Sequence, residues 1–180
     1  MVLAITGELL GWKNMSQAGE FLTRATVWVA LTLYVGCEFA RRRASNCAGR
    51  WLNAAGCAAF LAHVVCAFHF YHSWSHTAAY AATAHQTVEL TGWDSGFGLY
   101  INYVFAAVWF AEAVWSWVTP TYAARPVWIT RTIRAFFWFM IFNGAVVFAH
   151  GPLRAFGLLL SLALIVCWWR ARFRLGSSMR

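Results

Sequence analysis

Five apolar runs, each close to 20 residues long, constrain this chain more than any other feature. They cover roughly 21–40, 51–72, 97–118, 128–149 and 153–172. A helix rises about 1.5 Å per residue, so about 20 apolar residues cross the ~30 Å hydrocarbon layer of a bilayer. Charged residues make up only 11% of the chain and hydrophobic ones 61%, whereas a soluble domain carries about 25% charged residues. The pattern predicts an all-α fold, a polytopic transmembrane bundle of five spans forming a single integral membrane domain over 1–180, with the lipid bilayer as its surroundings. It excludes an ordinary soluble globule, a disordered chain and a coiled coil.

Breaks and charges mark the ends of these runs. The uncharged part of the first is only Ala25–Cys37, so Arg24 and Glu38 belong at its two interfaces. Pro120 closes the third run, and Gly151-Pro152 precedes the fifth. Arg131, Arg134 and Arg170 lie near run ends, where long side chains reach the headgroups.

The net charge is +8, from 14 basic and six acidic residues. With five spans, 11 of the 14 basic residues fall on one side: Arg41, Arg42, Arg43, Arg50, Arg125, Arg131, Arg134, Arg170, Arg172, Arg174 and Arg180. The positive-inside rule then puts the N-terminus outside and the C-terminus in the cytoplasm. This placement makes the basic balance a matter of topology, not of nucleic-acid binding. Residues 1–20 carry Glu8, Lys13 and Glu20 and lack the pattern of a cleaved signal.

The 73–96 connection, SWSHTAAYAATAHQTVELTGWDSG, contains no Lys or Arg. Ser75 suits a helix cap and Gly92 a helix stop, so the segment predicts a short outer-face helix over 76–91.

Five of the six histidines, His63, His69, His72, His76 and His85, fall within 63–85, and His150 ends the fourth run. Residues three or four apart share a helix face, which aligns His69, His72 and His76 on one stripe. His85 and Glu89 form a second i, i+4 pair. Brought together, His72, His76, His85 and Glu89, with His69 and His150 at the same depth, would offer imidazoles and a carboxylate suited to Zn, Fe or Cu. Tyr71, Tyr80 and Asp94 are available as outer partners. The competing reading is a set of interfacial, hydrogen-bonded histidines. The H-E-x-x-H pattern and the histidine boxes of membrane desaturases are absent. His63 lies deeper and could bind a cofactor as an axial haem ligand, although no other run supplies a second histidine at its depth.

Glu112 and Arg134 are each 11 residues from position 123, so a helical hairpin would pair them as a structural ion pair. Glu38 precedes Arg41 and Arg42 at helical spacing and forms a local pair. The five cysteines include no C-x-x-C and suit small buried residues or free thiols. No Gly-rich phosphate loop or G-x-S-x-G is present, which excludes a nucleotide site and a serine hydrolase of the usual pattern.

Three functions remain open at this level. The first is an outward-facing His-rich metal site for redox chemistry or metal handling. The second is a non-catalytic subunit or assembly factor with membrane protein partner subunits, and the third is a haem-bearing electron carrier. Whether the chain is an enzyme is not decided by its residues.

Overall fold

The structure, a computed structural model, describes residues 2–41, 46–119, 124–148 and 151–177, with side chains over 17–41, 47–119, 124–148, 151 and 154–169. Among the described residues six α-helices follow one another: α1 (Val2–Ala40), α2 (Asn46–Phe70), α3 (His76–Thr91), α4 (Gly98–Val118), α5 (Val127–Phe142) and α6 (Pro152–Ser177). A π-helical turn, Asn143–Val147, continues α5.

The three prolines explain several of these boundaries. Pro120 follows the end of α4, as expected where the residue before proline disfavours the helical region. Pro126 caps α5, and Pro152 occupies the first turn of α6, where its missing N–H costs nothing. The α3 caps follow the sequence expectation. Ser75 accepts from the Ala78 N–H, and Gly92 takes the left-handed conformation (φ 76°), its N–H donating to the Val88 carbonyl.

The chain divides into two compact units. Unit 1 comprises Met1–Ala30 and Ala58–Asn102, and unit 2 comprises Leu31–Cys57 and Tyr103–Arg180. In unit 1, α1 packs closely on α2. A Cβ on Gly19 would stand 2.6 Å from the Phe70 ring, and the Thr23 carbonyl accepts a bond from His63. Ala79 and Ala84 are the buried residues of α3.

Unit 2 is built on an aromatic core. Tyr34 stacks on Phe137 at 4.7 Å, and Trp109 meets both Tyr34 (5.7 Å) and Phe137 (5.3 Å) edge-on. Phe105 closes the cluster against Phe137 at 4.8 Å. Offset and edge-to-face pairs of this kind add about 0.5–1.5 kcal/mol each beyond area burial. Helices α5 and α6 form an antiparallel hairpin about Gly151. Gly157 lies against Ala145, both six residues from that turn. Trp168 and Arg134 share a partner, and both are seventeen residues from it.

Unit 2 carries apolar side chains on its outer faces as well as in its core, and several polar ones inside. On α4 the buried stripe is Phe105, Trp109, Glu112, Ala113 and Ser116, while Val104, Phe110, Val114 and Trp117 face outward. On α6, Leu160, Ser161, Leu164 and Cys167 are buried, while Leu158, Leu159, Leu162, Ile165 and Trp169 are exposed. Most large apolar side chains of these two helices therefore lie outside, while Glu38, Asn53, Glu112, Ser116 and Ser161 lie inside.

The five-span bundle is corrected by these helices. Among the described residues two segments, Cys47–Phe70 and Gly98–Val118, have the length and hydropathy to cross a membrane. The run expected over 21–40 is the second half of one 39-residue helix that carries charges along its length. The fourth run is a 16-residue helix, about 24 Å at helical rise, followed by a π-helical turn. The apolar part of α6 is the short stretch Arg154–Trp169. A packed helical fold with an internal ion-pair and hydrogen-bond network replaces the multi-pass bundle. The outside and cytoplasmic placement of the termini, and the bilayer and membrane subunits expected as partners, lose the five spans on which they rested.

Candidate functional site

The histidines of unit 1 do not gather. The His63 imidazole Nδ1 lies 2.8 Å from the Thr23 carbonyl oxygen, so Nδ1 carries the proton and donates. Burial holds this imidazole below its usual pKa, partly offset by that bond. His72 packs edge-on against Phe68 at 5.7 Å, and burial lowers its pKa too. His69 meets the rings of Phe70 and Trp74. His76 Nε2 and the Tyr100 hydroxyl share a hydrogen bond of 3.4 Å. His85 and Glu89 form the expected i, i+4 pair at 3.5 Å, but both side chains are mostly exposed. His150 lies outside the described residues.

Among the described residues no three His, Cys, Asp or Glu side chains come together in a way that could hold a metal ion. The metal site, its Zn, Fe or Cu, and the haem alternative are corrected accordingly. The reason lies in five residues of backbone. Treating 69–76 as one helix put His72 and His76 on one face. Instead α2 ends at Phe70, and Ser73 and Trp74 both take left-handed conformations (φ 46° and 61°). The Trp74 N–H donates back to the Phe68 carbonyl at 3.0 Å, and the Ser75 N–H to that of His72 at 2.8 Å. The first of these bonds satisfies a carbonyl of the last turn of α2, and the second closes a turn beyond it. They also place the His72–His76 interval across a break, where the i, i+4 rule no longer applies.

Among the described residues, Glu38 at the end of α1 in unit 2 gathers several polar partners. Its carboxylate is fully buried. Oε1 lies 3.3 Å from Arg41 Nη1, while Oε2 lies 2.8 Å from Arg134 Nε and accepts the Trp168 indole N–H at 3.0 Å. The Glu38 backbone carbonyl also faces the Cys167 thiol at 3.7 Å. One residue thus ties α1, α5 and α6 together. Arg41 follows from local helical spacing; the partners on α5 and α6 are too distant in sequence for spacing to reveal.

A second buried pair joins Glu112 of α4 to Arg125 in the connection before α5. Arg125 also donates to Thr130 Oγ1 at 2.9 Å and stands over the Trp115 ring, 5.5 Å from its centre. The sequence pairs Glu112 with Arg134, whereas the structure gives Glu112 to Arg125 and Arg134 to Glu38. Equal counting from the hairpin centre overlooked a guanidinium in the connection itself.

Burial sets the chemistry of this interior. It pushes the Cys37 thiol up to about 11, and its Sγ–H points to the Gly49 carbonyl at 3.2 Å. A thiol with that pKa is neutral at pH 7 and is no nucleophile. Burial, with help from the Glu38 charge, holds the Tyr34 phenol well above its ordinary value. Burial also raises the Cys57 thiol. The carboxylates are held by guanidinia, and the thiols and phenol keep their protons. What the arrangement does chemically is fix charge and orientation. No family model, curated protein or solved structure matches the chain.

Proposed function

We propose that the chain is a non-catalytic helical association protein. Its buried ion pairs lock the helices, and the apolar outer faces of unit 2 are its working surface. The single observation that carries this reading is the apolar outer face of α4 and α6, where Phe110, Val114, Trp117, Leu162 and Trp169 are exposed. Exposed apolar side chains repeated at helical spacing, as Phe110, Val114 and Trp117 are, form a stripe of the kind that marks an interaction site. The partner it fits is another polypeptide presenting apolar helical faces, whose burial gains roughly 25 cal/mol per Å².

Phe110→Glu with Leu162→Glu tests the reading. Without their partner, such stripes bury against each other, so the purified wild-type chain is expected to sediment as an associated species. The double variant should keep its helical circular dichroism and sediment as a monomer. A wild-type chain that stays monomeric across the accessible concentration range contradicts the proposal.

A further inference from the structure

Helix α6 has two apolar stripes, and only one of them is used within unit 2. The buried stripe is Gly157, Leu160, Ser161, Leu164 and Cys167. Gly157 lies against Ala145, and the Cys167 thiol faces the Glu38 carbonyl. The second stripe is Ala155, Leu159, Leu162, Val166 and Trp169, spaced by four, three, four and three residues. At about 100° per residue these positions form one line, half a turn from the buried stripe. The alternation of four and three is that of a helix-pairing seam. Leu159, Leu162 and Val166 are 63%, 55% and 43% exposed. From Ala155 to Trp169 the seam is about 22 Å long at helical rise.

We propose that this seam docks one helix of another protein, whose own apolar seam runs on into acidic residues. The inference rests on the association surface proposed above and names what covers it. Its ground is charge. The seam leads directly into Arg170, Arg172 and Arg174, and no Asp or Glu occurs after Glu112. The two acids of unit 2, Glu38 and Glu112, are both buried. Unit 2 therefore offers no exposed Asp or Glu to complement the arginine end of α6. A second copy offers none either. Pairing α6 with α6 side by side sets these arginines against each other, and the reverse direction sets them against Arg154. Like charges flanking a seam select against a partner, and opposite ones select for it.

The test uses a labelled synthetic peptide of about four heptads, with leucines along the seam and glutamates beside them. A twin carries lysines in place of the glutamates. Both repel their own copies, so neither pairs with itself. The full chain is expected to bind the glutamate peptide saturably and at least about tenfold tighter than the lysine twin, with the preference shrinking as salt rises. Leu159→Gln with Val166→Gln changes exposed positions only, and should weaken glutamate-peptide binding about tenfold while helical circular dichroism is kept. Arg172→Gln with Arg174→Gln should weaken it several-fold. Arg131→Gln, an exposed charge on α5, removes charge elsewhere and should change it little. Equal binding of the two peptides overturns the proposal. So does glutamate-peptide binding unaltered by the seam variant, or weakened as much by Arg131→Gln as by the α6 pair. Binding confined to anionic lipid vesicles overturns a polypeptide as the occupant. A chain that self-associates but binds neither peptide overturns this inference alone, whereas a monomeric chain that binds neither overturns the association surface as well.

Discussion

Unit 1 and unit 2 handle polar groups in opposite ways. Unit 1 has two basic residues and four acids, and holds five of the six histidines. Its polar side chains include the pairs His63 with Thr23, His76 with Tyr100 and His85 with Glu89. Unit 2 has 12 basic residues and two acids, and it buries both acids against arginines, Glu38 with three partners and Glu112 with Arg125. Polar pairs at a surface are nearly independent and individually weak. Buried ones form coupled networks, where loss of one member strands the rest. The contrast predicts that substitutions in the two units differ in size by far more than their chemistry does.

Glu38→Gln carries the largest expected effect. It removes the charge that Arg41 and Arg134 share while keeping the shape. Breaking a buried pair from one side costs roughly 3–5 kcal/mol, and urea unfolding should show a loss in that range. A loss below 1 kcal/mol would place Glu38 among the weak pairs of unit 1.

Gly157→Ala comes next. An added Cβ would run into the backbone carbonyl of Ala145 in the π-helical turn, and a backbone atom cannot swing aside as a side chain can. Overpacking of this kind costs about 1–3 kcal/mol. Gly144, where an added Cβ meets nothing within 4 Å, is the control. Gly144→Ala should be neutral or better, since alanine favours a helix over glycine by up to about 1 kcal/mol.

The third prediction concerns pH and belongs to unit 1. Burial lowers the pKa of His63 and, with its smaller burial, of His72. Below the unfolded value of about 6.5, the unfolded state binds protons that the folded state refuses. Stability is therefore complete above that value and is lost as pH falls through it toward the folded pKa. His63→Gln should flatten much of this slope in chemical unfolding measured between pH 7.5 and pH 5. An unchanged slope would mean that other groups carry the acid sensitivity.

His85→Ala is the smallest change. The His85–Glu89 pair is 76% and 65% exposed, and exposed helical pairs contribute roughly 0.3–0.5 kcal/mol. A loss above 1 kcal/mol, read from the same unfolding curves, would show that the pair does more than its exposure allows.

The parts of this fold that were legible in the sequence are local. Ser75 and Gly92 bracket α3 because a capping hydroxyl and a left-handed glycine act within one turn. Glu38 with Arg41, and His85 with Glu89, follow from helical spacing alone. Spacing failed where the backbone broke its own rule. Ser73 and Trp74, neither of them a glycine, take positive φ and separate His72 from His76. Counting failed where a connection contributed a side chain, since Arg125 reaches Glu112 before any helix partner does. The five apolar runs are real as composition, yet run length does not fix where helices begin. The first run is half of a helix that starts at Val2, and the fourth is interrupted by a π-helical turn. The Trp168 and Cys167 contacts to Glu38 span 130 and 129 residues, and no local pattern announces them.

The central claim is that Glu38 joins α1, α5 and α6 as one coupled unit. A double-mutant cycle in urea with Glu38→Gln, Arg134→Met and the pair together tests it most directly. If the two side chains depend on each other, removing the stranded guanidinium recovers part of the loss. The double variant is then more stable than the sum of the single losses predicts, by at least about 1 kcal/mol, within the 0.5–3 kcal/mol seen for residues in contact. Losses that add to within about 0.3–0.5 kcal/mol, as for distant independent sites, would contradict the account and leave Glu38 an isolated buried charge.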